Sequence, residues 1–238
     1  MMPGLFITGT DTGVGKTQIA GAIARLLTNA GVHVVPRKPV ESGCGLRDND
    51  LIPGDALTLR TAAKSTQALD QICPYQFQPA ISPERAAAQA GVQITLSELE
   101  SACLNGSDSG QFLLVEAAGG FYSPLAHKLR CADLAARLGL PVMLVVADRL
   151  GCINHTLLSI DAIHSAGLTV SAVILNQPAK CSDTEMDNAA DLQQWLKFPL
   201  IQVQHQSDSS HAWQALAEQT DQLKNFVERE LIQLRFPG

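Results

Sequence analysis

Short apolar runs alternate with segments of helical periodicity along most of this chain. Runs rich in apolar and β-branched residues, each typical of a buried strand, occur at 5–8, 32–35, 112–120, 141–147, 168–176 and 199–203. Segments with apolar residues on one helical face occur at 15–31, 131–140, 153–167 and 211–234. Fully apolar strands that alternate with helices form parallel sheets covered on both faces, so the pattern predicts a doubly wound α/β fold with a mostly parallel sheet. Such sheets bind ligands at the carboxyl ends of their strands.

Residues 41–110 follow this pattern less closely than the rest of the chain. Prolines and glycines interrupt the stretch, and no long periodic segment stands out in it. We interpret it as an insertion that carries short helices, within a single domain that spans residues 1–238. The segment at about 211–234 is predicted to form a C-terminal helix that caps the sheet.

The stretch TGTDTGVGKT, residues 8–17, links the first predicted strand to the first predicted helix. Its end, Gly15-Lys16-Thr17, matches the common phosphate-binding loop, but the first glycine stands at position 9, one residue earlier than that loop requires. Backbone N–H groups at a helix N-terminus bind anions, the lysine adds charge to the β- and γ-phosphates, and the threonine hydroxyl suits Mg²⁺. The context of strand, loop and helix therefore predicts a nucleotide phosphate site.

The segment RKPVESG, residues 37–43, directly follows the second predicted strand. Pro39 favours an extended backbone at Lys38, which lets this lysine project from the end of the strand. A second lysine near the phosphates would stabilise the charge of a transferred γ-phosphoryl group. The alternative is a solvated lysine at a strand end.

A carboxylate also stands at the end of a predicted buried strand, in LLVEAAGG, residues 113–120. A buried Glu116 is unfavourable unless it is paired, so coordination of Mg²⁺ is the interpretation that we favour. Asp55, in PGDALTL, is a second candidate metal ligand. An aspartate before an apolar run is also an ordinary helix cap, and the sequence does not separate these two roles.

Composition narrows the classes of function that remain. The chain has 238 residues and a formal net charge of −6, without clustered lysines and arginines, which argues against nucleic-acid binding. No apolar run is long enough to cross a bilayer, so no membrane partner is expected. The six cysteines lack the spacing of a zinc site, and without a recognisable secretory leader we expect reduced thiols and a cytoplasmic location.

Five motifs, in order, resemble the dethiobiotin synthetase family, the ATP-dependent ligases of biotin biosynthesis. They are GTDTGVGKT, KPVESG, SPERAAAQAG, VEAAGG followed by SPL, and LGCINHTLLS, and the resemblance runs from about residue 4 to residue 176. It implies a P-loop NTPase-like fold with a deviant loop, in which glycine at position 9 is the normal spacing. It also implies a reaction in which 7,8-diaminononanoate takes up CO₂, from the CO₂/bicarbonate pool, as a carbamate. The carbamate is phosphorylated by MgATP and closes to the cyclic urea.

The resemblance assigns roles residue by residue. Catalytic roles fall to Lys38, Lys16 and Thr12, and the metal shell to Thr17, Asp55 and Glu116. The nucleotide site would comprise Gly13, Val14, Gly15, Lys16, Thr17, Gln18, Asp55, Glu116, Ala117, Ala118, Gly119 and Asn176. The substrate site would comprise Thr12, Lys38, Ser42, Gly151, Cys152 and Asn154. Asp11 is expected to hold the loop.

In the family, the segment that matches residues 151–154 receives the carboxylate tail of the substrate from the neighbouring subunit. The resemblance therefore implies a homodimer with the substrate site at the subunit interface. Two simpler roles stay open: Cys152 as a small buried residue, and Asn176 as a strand-ending residue in a turn. His155 is interpreted as a structural residue beside the helix start.

Three positions depart from the family pattern. Ala117 replaces the first glycine of the usual VEGAGG, which would be unfavourable if the backbone there had a positive φ or touched the ligand closely. Glu41 replaces a small residue, and it would either weaken MgATP binding by its charge or point to solvent. The segment 202–208 lacks the usual Gly-x-x-Pro turn beside the adenine, so the residues that would select ATP over other nucleotides depart from the family pattern. Within this segment, Gln204, His205 and Gln206 are candidate base contacts.

Other classes of function remain possible at this point. A partitioning-type ATPase would share the deviant loop, but its signature lysine is missing from the Thr-Gly-Thr-Asp stretch. The C-terminal segment 221–236 is amphipathic, as a membrane anchor would be, although its polar face mixes acids and bases. An amidotransferase-type ligase would need a glutaminase domain for which the chain is too short. A small-molecule kinase would leave Lys38 and residues 150–154 without a joint explanation.

Overall fold

The computed structural model describes residues 2–177, 186–206 and 211–233. Its strands are β1 Gly4–Gly9, β2 Val34–Arg37, β3 Val40–Ser42, β4 Gly45–Arg47, β5 Asp50–Ile52, β6 Tyr75–Phe77, β7 Phe112–Gly120, β8 Pro124–Ala126, β9 Leu129–Arg130, β10 Val142–Ala147, β11 Val170–Asn176 and β12 Leu200–Val203. Its helices are α1 Lys16–Asn29, α2 Gly54–Ala62, α3 Leu69–Ile72, α4 Pro83–Gln89, α5 Leu96–Leu104, α6 Cys131–Leu138, α7 Cys152–Ser165, α8 Asn188–Gln193, α9 Ala212–Gln219 and α10 Asp221–Phe226, which continues as a π-helical segment, Val227–Gln233.

Six of these strands form one central sheet in the order β12-β11-β10-β1-β7-β2. Every neighbouring pair in it is parallel. In register, Phe6 of β1 pairs with Val142 on one side and with Val115 on the other. The predicted parallel α/β sheet is therefore confirmed.

Alternate residues of each central strand supply two separate apolar clusters. Leu5 and Ile7 belong to the cluster that includes α1, α9 and α10, whereas Phe6 belongs to the cluster that includes α5, α6 and α7. Side chains alternate between the two faces of a strand, so a strand buried on both faces must be apolar at nearly every position. This requirement explains why the strands stand out in the sequence.

The bounds of the central elements agree closely with the predictions, but the C-terminal helix does not. The predicted single helix at 211–234 is divided into α9, α10 and the π-helical segment. Thr220 separates α9 from α10 because its backbone is extended, with φ −98° and ψ 90°. The last residue of the predicted helix, 234, lies outside the described residues.

Residues 41–110 contain short elements rather than one long helix or strand. β3 and β6 form a parallel pair, and β4 and β5 form an antiparallel hairpin. The helices α2 to α5 come after the hairpin, with β6 between α3 and α4. The sequence predicted the short helices but not these strands. Within the described ranges, no helix is both long and apolar enough to cross a membrane.

Candidate active site

Three strands that are neighbours in the sheet bring the candidate site together. β7 lies between β1 and β2, and all three run in the same direction. The loop 10–15 follows β1, Glu116 lies within β7, and Lys38 directly follows β2. Groups far apart in sequence therefore meet at one edge of the sheet.

The early glycine of the loop has a steric cause in this structure. A Cβ at Gly9 would lie 2.7 Å from Val14 Cγ2 and 3.0 Å from the carbonyl oxygen of Asp11. Gly15, at the N-terminus of α1, has φ +96°, and a Cβ there would lie 2.2 Å from Asn176 Nδ2. The loop thus folds back tightly on β1 and leans against the end of β11.

Asp11 organises the loop, as the sequence predicts. Its carboxylate accepts the backbone N–H of Thr12 at 2.7 Å and pairs with Arg149 at 3.1 Å. Its carbonyl oxygen accepts a hydrogen bond from Lys16 Nζ at 2.9 Å. The Lys16 ammonium therefore lies over the loop, where a bound phosphate would meet it.

A buried cluster of opposite charges lies beside the loop. Lys38 Nζ lies 2.7 Å from Glu116 Oε1 and 2.8 Å from Asp55 Oδ2, and it also donates to the carbonyl oxygen of Ala117 at 3.3 Å. The Thr17 hydroxyl lies 2.8 Å from Asp55 Oδ1 and 2.8 Å from Glu116 Oε1. Since the Lys38 side chain is only 3% exposed, it is not a solvated lysine at a strand end.

Burial and charge set opposing pKa shifts in this cluster. Burial by itself would lower the pKa of Lys38, but Glu116 and Asp55 outweigh it and hold the pKa above its ordinary value. Burial raises the pKa of Glu116 in spite of Lys38, whereas Lys38 and the hydrogen bonds to Asp55 overcome burial and keep the pKa of Asp55 low. Burial and the neighbouring Lys38 lower the pKa of Lys16.

The same oxygens suit a divalent cation. One hydroxyl oxygen, from Thr17, and one carboxylate oxygen each from Asp55 and Glu116 converge, and Mg²⁺ prefers hard oxygen ligands of this kind beside substrate phosphates. The second carboxylate oxygen, Glu116 Oε2, is buried, and no described group hydrogen-bonds to it. A buried carboxylate oxygen without a donor favours a cation as its missing partner.

Asp55 and Glu41 resolve two questions that the sequence left open. Asp55 is the second residue of α2 and does not cap it, because the N-cap position is Pro53. Glu41 is buried rather than turned to solvent, and its carboxylate accepts the backbone N–H groups of Asp55 at 3.0 Å and Ala56 at 3.1 Å. The solvent alternative for Glu41 was therefore wrong. Burial, followed by the nearby Asp55, raises the pKa of Glu41 to about 7.

A cavity of about 670 Å³ opens onto this cluster. The predicted site residues that line it are Thr12, Gly13, Gly15, Lys16, Thr17, Gln18, Lys38, Ser42, Asp55, Glu116, Ala118 and Gly119. The cavity is also lined by residues that received no role from the sequence, namely Ala80, Ile81, Ser82, Pro83, Ser123 and Pro124. Most of these belong to the SPERAAAQAG and SPL motifs, so the signal was present without a role attached to it.

Two predicted nucleotide residues, Val14 and Ala117, are buried and do not line the cavity. The Val14 carbonyl accepts a hydrogen bond from Asn176 Nδ2 at 2.9 Å, and the Ala117 carbonyl accepts one from Lys38. Ala117 lies inside β7 without a positive φ, whereas Gly119 has φ +73°. The φ angle at Ala117 therefore does not require glycine.

Residues 151–154 lie away from the cavity within one chain. Gly151, with φ +90°, is the N-cap residue of α7, Cys152 is buried, and Asn154 is exposed. Of the residues predicted to contact the base, Asn176 donates to the Val14 carbonyl in the loop, and Gln206 Nε2 donates to the Gln204 carbonyl at 3.2 Å. None of these three predicted residues lines the cavity. Residues 207 and 208 of the predicted base segment lie outside the described part of the chain.

Comparison with solved structures defines the class of fold. The septum site-determining protein MinD from Pyrococcus horikoshii OT3, solved with Mg-ADP, matches with a TM-score of 0.61 and 17% identity over 100% of both chains. A ParA family ATPase from Chlorobium tepidum TLS matches with a TM-score of 0.58 and 12% identity over 95% of this chain and 97% of that one. At such identities the likeness shows the fold alone: this is an α/β P-loop NTPase fold.

Sequence relatives narrow the class to a family. The family model described as AAA domain matches residues 3–212. The chain is 41% identical over 201 residues to the ATP-dependent dethiobiotin synthetase BioD of Pseudomonas paraeruginosa (strain DSM 24068 / PA7), covering 84% of this chain and 88% of the relative. It is 42% identical over 176 residues to BioD of Ruthia magnifica subsp. Calyptogena magnifica, covering 74% and 80%. The chain belongs to the ATP-dependent dethiobiotin synthetase family.

Proposed function

We infer that this chain catalyses the reaction of its family, the ATP-dependent synthesis of dethiobiotin in biotin biosynthesis. The enzyme is then a ligase that forms C–N bonds from 7,8-diaminononanoate, CO₂ and ATP, with ADP and phosphate as the other products. The observation that carries the proposal is the position of Lys38. This lysine lies beside the phosphate loop, in the wall of the cavity, between Glu116 and Asp55.

The loop and α1 would hold the triphosphate of ATP. Backbone N–H groups of residues 13–17 and the Lys16 ammonium are the anion-binding groups, and they lie on the cavity side of β1. Asn176 would act on the base side, since it already braces the loop at Val14. Ala118 and Gly119 would border the phosphates from the end of β7.

We propose that Thr17, Asp55 and Glu116 hold Mg²⁺. The bound ion would neutralise charge on the phosphate oxygens, which is its usual contribution to phosphoryl transfer. Thr17 already contacts both carboxylates, so the three ligands need little rearrangement. Lys38, which pairs with the same carboxylates, can then turn its ammonium toward the reacting groups.

The chemistry needs a group that stabilises two anions in succession. An amine of the substrate attacks CO₂ and loses a proton to form a carbamate. A carbamate oxygen then attacks the γ-phosphorus, and the bond from that phosphorus to the β-phosphate oxygen breaks to release ADP. The second amine attacks the carbamate carbon, loses a proton and expels phosphate, which closes the cyclic urea. We assign stabilisation of the carbamate and the transferred phosphoryl group to Lys38, and contact with the substrate to Thr12 and Ser42.

We also propose that the enzyme is a homodimer in which Gly151, Cys152 and Asn154 receive the carboxylate tail of a substrate bound to the partner. Large apolar side chains beside this segment support the proposal. Leu150 is 85% exposed, and Leu158, on α7, is 59% exposed. Leu158 lines a groove together with Tyr122, and a second subunit would cover both. Analytical ultracentrifugation tests the proposal: a monomer at micromolar concentration would contradict it.

Two further assignments accompany this function. We propose a single domain, because residues of 41–110 contribute to both apolar clusters, Leu59 to one and Leu99 to the other. We propose a cytoplasmic location, because the five cysteines in the described ranges are free and buried, as is usual in a reducing compartment.

The test is a reconstituted reaction. Purified protein is incubated with MgATP, bicarbonate and 7,8-diaminononanoate, and the products are followed by mass spectrometry and a phosphate assay. We expect dethiobiotin and phosphate in equal amounts, with no dethiobiotin when any one component is left out. Phosphate release that ignores the diamine, without cyclic urea, would contradict the proposal and leave only the nucleotide-binding fold.

A further inference from the structure

The N-terminus of α2 has no cap of its own. Its N-cap residue is Pro53, whose side chain has no group that could accept a hydrogen bond from the helix. The first N–H groups of a helix lack intrahelical partners and need acceptors from elsewhere. Asp55, the proposed metal ligand, stands in this first turn.

Glu41 supplies the missing acceptors from a different element. It lies on β3, 14 residues before Asp55, and its two carboxylate oxygens accept one backbone N–H each, from Asp55 at 3.0 Å and from Ala56 at 3.1 Å. These two N–H groups belong to the second and third residues of the helix, which are the ones that an N-cap side chain normally satisfies. Glu41 is 5% exposed, so water does not compete strongly for them.

We propose that Glu41 is a positioning residue that caps α2 from β3 and thereby fixes the carboxylate of Asp55 for magnesium binding. The cap acts at the backbone of Asp55, while the Asp55 carboxylate faces Thr17 and Lys38. One carboxyl group that bonds two successive N–H groups satisfies both of them and fixes the orientation of the helix end. Groups that orient a metal ligand typically change metal affinity 10- to 100-fold when they are removed.

Position 41 therefore carries a function that a small residue could not provide. β3 continues directly from Lys38 and Pro39, so the same strand connection delivers the lysine and the cap. Ser42, the next residue, lines the cavity as a proposed substrate contact. The inference rests on the proposed function, because it assigns Asp55 to the magnesium site.

The experiment compares Glu41→Ala and Glu41→Gln with the unaltered protein in two assays. Calorimetry measures the binding of a non-hydrolysable ATP analogue with Mg²⁺ and again in EDTA. The titration is repeated over a series of Mg²⁺ concentrations, which gives the concentration at which half of the magnesium-dependent gain in analogue affinity is reached. We expect Glu41→Ala to raise this concentration by about tenfold. The affinity for the analogue in EDTA should change little. The magnesium requirement of Glu41→Gln should lie between those of Glu41→Ala and the unaltered protein, because the amide oxygen of glutamine still accepts one N–H. Hydrogen exchange in the absence of metal should show faster exchange at the Asp55 and Ala56 amides.

Thr95→Ala is the matched control. Thr95 caps α5 by accepting the Glu98 N–H at 3.2 Å, and it lies outside the cavity lining. Its substitution should lower the melting temperature while leaving the magnesium requirement unchanged. Equal shifts for Glu41→Ala and Glu41→Gln would overturn the inference, because charge alone would explain them, and so would unchanged exchange at Asp55 and Ala56. Absence of dethiobiotin formation by the unaltered protein would instead count against the proposed function, and the exchange result would still decide the role of the cap.

Discussion

Replacement of Lys38 should separate turnover from nucleotide binding. The Lys38 ammonium contacts two carboxylates at 2.7 Å and 2.8 Å, and Lys38 lines the cavity in which we propose that phosphoryl transfer takes place. Two unit charges at 4 Å interact by about 4 kcal/mol at an effective dielectric constant of about 20. A hundredfold loss of rate corresponds to about 2.7 kcal/mol. A decrease in kcat of at least a hundredfold is therefore within the reach of this single charge.

ATP binding should survive the same substitution, because the loop N–H groups and Lys16 remain. We expect Lys38→Ala and Lys38→Met to bind ATP within about threefold of the unaltered protein, the lysine charge being realised mainly in the transition state. The assay pairs steady-state dethiobiotin formation at saturating magnesium with calorimetric titration of ATP. Lys197→Met, at an exposed lysine, serves as the control. Weaker ATP binding with normal turnover at saturation would refute the role given to Lys38.

Three other changes test the structure further. Arg37→Met should lower the melting temperature by roughly 5–12 °C, because the buried guanidinium bonds the carbonyls of Ala102, Cys103 and Asn105 at the end of α5; a shift under about 2 °C in calorimetry would contradict this. Gly15→Ala should weaken ATP binding at least about tenfold by its clash with Asn176, whereas Gly31→Ala, which meets no atom within 4 Å, should change only stability. Burial raises the pKa values of Cys44 and Cys131 to about 11. In a Cys181→Ser variant, which leaves only the five buried cysteines of the described residues, we expect thiol-reagent labelling at pH 8 to stay slow until denaturant is added. Rapid labelling of the native protein would contradict their burial.

The central sheet could be predicted from the sequence because its strands are buried on both faces. β7 illustrates this: apolar residues fill Phe112–Val115, and the first polar residue, Glu116, marks the point where the strand reaches the site. The loop was equally clear, since Gly9 would clash with the nearby Val14 and Asp11, and Gly13 and Gly15 have positive φ values that favour glycine. Patterns of this kind involve residues close together in the chain, so the sequence alone is enough to predict the elements.

The parts that could not be predicted depend on contacts between distant segments. Glu41 looked either disruptive or solvated because its partners, the first N–H groups of α2, lie on an irregular stretch with no periodic pattern. Asp55 looked like a possible cap for the same reason. The C-terminal helix breaks at Thr220 without a proline or glycine, so the sequence contains no signal for the break and its helical periodicity predicts one continuous helix.

The strand order also dictates when this fold can form during synthesis. β1 and β2 leave the ribosome first, but they are not neighbours, because β7 lies between them and its last residue is Gly120. β1 gains its second neighbour only with β10, at Val142–Ala147. Until β7 is made, neither β1 nor β2 has a neighbour in this sheet, and unpaired apolar strands are exposed to aggregation and slow folding. The phosphate loop is complete by residue 17, but its contact with Glu116 can form only after roughly half of the 238 residues have been synthesised.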